Sequence, residues 1–336
     1  MTETVSRVHA RNLVRWAKDR PEVLVLSADL TGSTEIDDFK AACPDRFLSM
    51  GIAEQNMLAF AGGLAREGFE PFVHTFAVFI YRRALDQIAM SVAYPNLGVR
   101  MVGFLPGVTT PGGATHQAVE DIAVMRALPN MTVLECADAT EVEGALDVMH
   151  AVPGPVYVRM LRGEIPRLFP RSGPPAPGKH RLLSAGGDVA VISSGISTEE
   201  ALRGAAALRR RGVSVHHLHV STHKPFDPGP VLEAAARARR GMVTLENHSI
   251  VGGLGSAVAE VLAEAGVPSR LVRLGLRDTF AHGASRKYLM RAFGLDALAL
   301  VGAVENLLGE KLGLGPEEIE AAPVEPAGAG EKAEAL

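Results

Sequence analysis

The chain has 336 residues, 47% of them hydrophobic and 21% charged, with a formal net charge of −4 and only two cysteines, Cys43 and Cys136. That length favours about two domains. The charge balance lacks the basic surplus of a nucleic-acid binder, and two distant cysteines without a CxxC argue against a disulfide framework or a zinc site.

Met1 to Arg20 carries no apolar signal core, and no run approaches the ~20 apolar residues that span a bilayer, so a soluble, cytoplasmic protein without membrane partners is expected. Ser6 to Lys18 spaces Val8, Leu13, Val14 and Ala17 as a surface helix does. Val23 to Leu26 reads as a strand covered on both faces. The polar stretch Ser27 to Ser33, which includes Asp29, is either a ligand-facing loop or an ordinary capped turn. Phe47 to Met50 is a short apolar run, and Ile52 to Phe60 a helix that Gly62-Gly63 loosens or ends. Glu54 therefore falls in a helix's first turn beyond a buried strand, where open parallel sheets bind ligands. A carboxylate there also simply complements the positive helix end.

Pro71 to Thr75 is another strand, followed by a helix on which Phe76 and Phe79, three apart, form one apolar wall. Spacing alone assigns them to core packing. Val99 to Val102 is the next strand, and Leu105 to Gly113 is too rich in Gly and Pro for regular structure. That loop delivers His116 to the expected start of a helix, a position from which a histidine can face a site. Met131 to Leu134, a helix from about Thr140 to Met149, and Val156 to Met160 complete an alternating series that predicts a doubly wound sheet.

Five prolines between Pro166 and Pro177 preclude a continuous helix or central strand. A second alternating series then runs from Val189 to about Gly309. Within it, Gly252 to Gly255 follows a strand and opens a helix, which allows a phosphate cradle but fits a tight turn better. The expected fold is α/β, with two doubly wound, mostly parallel sheets. It comprises a first domain over 1–165, a linker over 166–185, a second domain over 186–310 and a disordered tail over 311–336.

Four segments resemble the transketolase family in the right order. Met50-Gly51-Ile52-Ala53-Glu54-Gln55-Asn56-Met57, Thr75-Phe76-Ala77-Val78-Phe79 and Gly113-Ala114-Thr115-His116-Gln117-Ala118-Val119-Glu120-Asp121 resemble its pyrimidine-binding domain. Glu246-Asn247-His248-Ser249-Ile250-Val251-Gly252-Gly253-Leu254-Gly255 resembles a landmark of its third domain. The resemblance is to the carboxyl-terminal half of the enzyme as found in split, two-gene forms. It implies thiamine diphosphate as the coenzyme, with the protein supplying orientation and electrostatics. Glu54 then matches the glutamate that bonds the aminopyrimidine ring nitrogen, a task requiring a carboxyl that holds or shares a proton in an apolar pocket, which Ile52, Phe76 and Phe79 are expected to form. Phe79 and Phe76 match the aromatics packed on that ring, and Asp29 a position near the coenzyme.

His116 matches a histidine that contacts the donor's hydroxyls and the charge developing on its carbonyl oxygen. Arg162, Ser33 and Arg7 match positions that hold the sugar phosphate, for which a guanidinium fork is suited. Arg159, on the strand preceding Arg162, is expected to point to the opposite face. Two positions depart from the family pattern: Phe104 stands where it has a histidine and Gly112 where it has an aspartate. Both departures point to an altered donor, such as a branched or sulfonated sugar.

No Gly-Asp-Gly motif for Mg²⁺ and diphosphate occurs in the chain. An N-terminal partner subunit is therefore expected to bring the metal and diphosphate site, with the active site at the subunit interface of a self-associating, two-plus-two assembly. A deoxyxylulose phosphate synthase fragment and a 2-oxoacid dehydrogenase beta subunit are the nearest alternatives, and a non-catalytic flavodoxin-like scaffold a third. Gln55-Asn56 and Gln117 to Asp121 favour transketolase over the first two, and joint retention of Glu54, Phe79 and His116 disfavours the scaffold.

Overall fold

Short aliphatic runs buried on both faces set the strands of both halves, and the computed structural model describes residues 3–171 and 177–324. The first half runs β1 (Thr4–Ser6), α1 (Val8–Trp16), β2 (Val23–Ser27), α2 (Asp37–Ala42), β3 (Phe47–Ser49), α3 (Glu54–Arg66), β4 (Glu70–Phe76) and α4 (Ala77–Gln87). It continues through β5 (Arg100–Phe104), α5 (Asp121–Ala127), β6 (Thr132–Glu135), α6 (Ala139–Ala151), β7 (Val156–Met160) and β8 (Glu164–Pro166). The second half opens with β9 (Arg181–Ser184), β10 (Val189–Ser194), α7 (Ser197–Arg210), β11 (Val215–Val220), β12 (Thr222–Lys224) and α8 (Pro228–Arg237). It closes with β13 (Met242–Ser249), α9 (Leu254–Glu264), β14 (Leu271–Leu276), α10 (Arg286–Ala292), α11 (Ala297–Leu308) and α12 (Pro316–Glu320).

Two α/β sheets result. A seven-stranded sheet has the order β12-β6-β7-β5-β4-β2-β3, parallel except at its β12 edge. A five-stranded sheet has the order β14-β13-β10-β11-β9, parallel except for β9. β12 belongs to the second half by sequence yet pairs with β6 of the first sheet, so the two halves share a sheet edge.

Several expectations change. Helix α3 passes straight through Gly62-Gly63; Gly62 is small because the Ser91 carbonyl of a π turn (Ile88–Ala93) would lie 2.4 Å from any Cβ there. The helix expected at His116 begins only at Asp121. The residues before it form turns and bends around a single bridge between Pro106 and Ala118, with the Gly107 amide donating to the Ala118 carbonyl at 2.7 Å. Gly252 to Gly255 form no open cradle, because Glu246 accepts from the Leu254 and Gly255 amides and so fills the start of α9. Part of the tail is also ordered: α12 buries Ile319 against the second core, joined there by Ala322, and the rest beyond residue 324 lies outside the described residues. Residues 172–176 of the expected linker do too, while Leu168 and Phe169 before them are buried.

The halves are joined by a buried ionic cluster. Arg159 donates to Asp121 at 2.6 and 2.8 Å, to Glu135 at 2.7 Å, to the Ala118 carbonyl and, across the domain boundary, to the Asn247 carbonyl at 3.1 Å. Tyr157 adds a 2.5 Å bond to Asp121, and His223 of β12 bonds Glu135 at 2.9 Å. Burial alone would push both carboxyls up, but the Arg159 guanidinium more than offsets it and holds them below the usual carboxylate range. Replacing Arg159 with Met leaves two buried carboxyls without their cation and should cost about 3–5 kcal/mol of unfolding free energy, read from denaturant titration.

Burial also depresses His9 and His248 to about 4 and His217 to about 3, against an ordinary 6.5. These imidazoles are neutral in the fold and gain protons in the unfolded chain below that ordinary value. Their contribution to stability is therefore complete above about pH 6.5 and is lost as pH falls towards 4. In the denaturation midpoint measured across pH 4 to 8, these histidines should produce a decline on acidification below about pH 6.5, whereas Glu246, pushed up to about 8 by burial, acts in the opposite sense as pH rises.

Candidate active site

The carboxyl ends of the parallel strands in the first sheet carry the candidate residues, at the edge where such sheets bind ligands. Glu54 is the first residue of α3, just after β3, and is 3% exposed. Phe76 ends β4, and Phe79 lies in the first turn of α4. His116 lies in the loop that follows β5.

Four of these residues form one cluster. The Phe76 and Phe79 rings lie 5.7 Å apart, and His116 meets them edge-on at 6.2 and 5.4 Å. Arg83, one helical turn beyond Phe79, lies 3.8 Å over the Phe79 ring and donates to Glu54 Oε1 at 2.5 Å. The expected apolar enclosure of Glu54 is thus corrected. A guanidinium adjoins it, and Ile52 turns outward at 73% exposure because it precedes α3 rather than lying on its inner face.

His116 is half-buried, and Thr115 Oγ1 holds its Nδ1 at 2.9 Å, leaving Nε2 without a hydrogen-bond partner among the described residues. The loop that carries it is clamped from three sides. Asn247 of β13 accepts from the Val108 amide at 2.9 Å and donates to the Pro106 carbonyl at 3.1 Å, an approach so close that a Cβ on Gly107 would meet the Asn247 amide at 2.3 Å. Gln117 donates to the Thr110 and His282 carbonyls, and Arg82 grips Glu120 at 2.8 and 2.9 Å. The second domain therefore fixes a loop of the first.

A second group gathers at Gly163. Arg162 follows β7, is exposed, and donates to the Ser33 carbonyl at 3.1 Å. That contact runs through the Ser33 backbone and not its side chain. Arg7 has a left-handed backbone and donates to both Asp37 oxygens at 2.9 Å, with Asp38 at 3.1 Å. Glu35 is buried, accepts from the Gly163 amide at 2.8 Å and keeps Oε2 without a hydrogen-bond partner among the described residues. Burial pushes its carboxyl up despite the nearby Arg7 and Arg162. Asp29 stands apart, exposed and left-handed at φ 58° on the turn after β2.

The two departures noted above also have structural places. Phe104 is fully buried, packed edge-on against His9 and stacked on His74. Gly112 abuts His116 so closely that a Cβ would lie 2.8 Å from the histidine's own Cβ. Arg159 is wholly enclosed in the interdomain cluster. Arg83, Glu35, Gln117 and Asn247 were assigned no individual site role by the sequence, although Gln117 and Asn247 lie within the family-like motifs. Of the other two, only Arg83 offered a signal, its i+4 spacing from Phe79 on one helix.

The transketolase pyrimidine-binding domain family matches residues 3–167, and the transketolase C-terminal domain family residues 178–300. An uncharacterized transketolase family protein of Sinorhizobium fredii is 42% identical over 90% of this chain and 88% of its own length. A 6-deoxy-6-sulfo-D-fructose transketolase subunit of a Clostridium species is 40% identical over 89% of this chain and 92% of its own. A split gene transketolase solved as an inactive beta4 tetramer is 39% identical, with a TM-score of 0.81 over 90% of this chain and 97% of that one. The chain belongs to the transketolase family, and its two domains are that family's pyrimidine-binding and carboxyl-terminal domains.

Proposed function

We propose that this chain is the carboxyl-terminal subunit of a thiamine diphosphate-dependent transketolase, which moves a two-carbon ketol unit from a ketose phosphate or a modified ketose to an aldose phosphate. The observation that carries the reading is the convergence of Glu54, Phe76, Phe79 and His116 at one sheet edge. The fit can be judged from a side chain: Arg83 already lies there as a flat, nitrogen-edged group, stacked on Phe79 and bonded to Glu54. An aminopyrimidine ring is likewise flat and nitrogen-edged, though its ring nitrogen shares the Glu54 proton where the guanidinium only donates.

In this reading Glu54 bonds the ring nitrogen of the coenzyme, and Phe79 and Phe76 pack on the ring. When bound, thiamine diphosphate supplies the electron sink that lets the bond beside a ketose carbonyl break. His116, steadied by Thr115 and a clamped loop, donates from its unpartnered nitrogen to the donor's oxygens as negative charge develops on them. Arg162 faces the anionic end of the sugar with Ser33 and Arg7, and Asp29 lies near the coenzyme.

The Mg²⁺ and diphosphate site belongs to an N-terminal partner subunit in a two-plus-two assembly. The solved relative described as a split gene transketolase, inactive beta4 tetramer, supports such dependence. So do Ile52, Phe60, Met90 and Tyr94, large apolar side chains left exposed on and around α3 and the π turn beside the half-site. The polar end of the site also supports an altered donor. Arg7 is already bonded to two aspartates, Glu35 sits buried beside Arg162, and Phe104 and Gly112 offer neither imidazole nor carboxylate to a sugar phosphate.

The purified chain should turn over no donor until its partner is added. In the restored assembly E54Q should lower kcat by about 10²- to 10⁴-fold, with subunit association unchanged by sedimentation. A scaffold would not respond. Steady-state comparison of donors should give xylulose 5-phosphate a lower kcat/KM than a branched or sulfonated ketose; a normal value for xylulose 5-phosphate removes the case for an altered donor.

A further inference from the structure

Arg83 makes, within one chain, both contacts that the coenzyme reading assigns to the pyrimidine ring. Its guanidinium carbon lies 3.8 Å from the Phe79 centroid, and its Nη1 reaches Glu54 Oε1 at 2.5 Å. The other flanks of Phe79 are taken by Phe76, tilted by 31° at 5.7 Å, and by the His116 edge at 5.4 Å. A second flat group that stacks on Phe79 while bonding Glu54 has to take the guanidinium's place. Arg82 does not compete for it, since it is held by Glu120 and the Ala114 carbonyl.

We propose that Arg83 is an internal stand-in for the coenzyme's aminopyrimidine ring, a proposal that rests on the reading of Glu54 and Phe79 given above. The arginine fills the half-site before loading and swings out to admit the ring. Two features suit it to that task. Glu54 is only 3% exposed, and a buried carboxyl left without a partner is costly, so something has to bond it in the unloaded subunit. Arg83 is 41% exposed, so its head returns to water at little cost once displaced. Planarity matters as much as charge, because a guanidinium stacks on an aromatic face whereas an ammonium is a point charge.

The test is thiamine diphosphate affinity of the reconstituted two-subunit assembly, measured with Mg²⁺ present by quenching of intrinsic fluorescence and by calorimetry. Removing the competitor in R83A should tighten binding about five- to tenfold, the range set by losing an ion pair exposed on the arginine side only and a cation–π contact together. R83K keeps the charge but loses the stack, and should tighten binding about two- to threefold. R83K carries the test alone if R83A does not assemble. Unchanged or weaker binding in the variants overturns the proposal and makes Arg83 a bystander or a holder of the ring. A wild-type assembly that binds no thiamine diphosphate overturns the coenzyme reading itself, and the stand-in with it.

Discussion

One enclosed guanidinium governs how this molecule can be arranged. Arg159 has no access to water, so the low-dielectric interior makes each of its donors demand an acceptor. Asp121 starts α5, Glu135 ends β6 and the Asn247 carbonyl belongs to β13, so satisfying one side chain fixes the relation of two sheets. A buried ion cluster is weak support for stability as such, because its desolvation is expensive. Its effect here is geometric: the same β13 segment that caps Arg159 also carries the Asn247 amide, which holds the loop bearing His116. The placement of a residue that faces substrate in the proposed reaction thus depends on packing in a domain that contributes no candidate to the central aromatic cluster.

The fold was legible because continuous aliphatic runs separated by helical stretches leave few alternatives to a parallel sheet covered on both faces. Glu54, Phe76, Phe79 and His116 were legible as a set because their motifs resemble one family in order, although each alone fitted core packing or helix-end electrostatics. What sequence did not disclose was pairing. Nothing in the string Tyr81-Arg82-Arg83 tells that one arginine turns to Glu120 and the other back over Phe79; that depends on where two other strands deliver their ends. Nor could Glu35 be read as buried, since burial of a carboxylate runs against composition and follows from the chain crossing at Gly163.

The tail misled for a similar reason. An Ala, Glu and Pro composition has too little apolar mass to form a core of its own. It needs very little when a core already exists, and α12, with Pro316 in its first turn, adds only Ile319 to a surface that Ala322 also covers. Local composition judges a segment as though it were alone, whereas burial is decided by the neighbour it can lean on.

The strand that the second half lends to the first sheet carries a lesson about inheritance. β12 closes the β6 edge with antiparallel bonds and brings His223 to Glu135. Cutting the chain in its proline-rich stretch would leave that edge with bare amides and carbonyls, an invitation to pair with strangers. Gene fission or fusion in such a protein is thus free to fall ahead of the pyrimidine-binding half, but not between its two sheets, which have to travel through evolution as a single cassette.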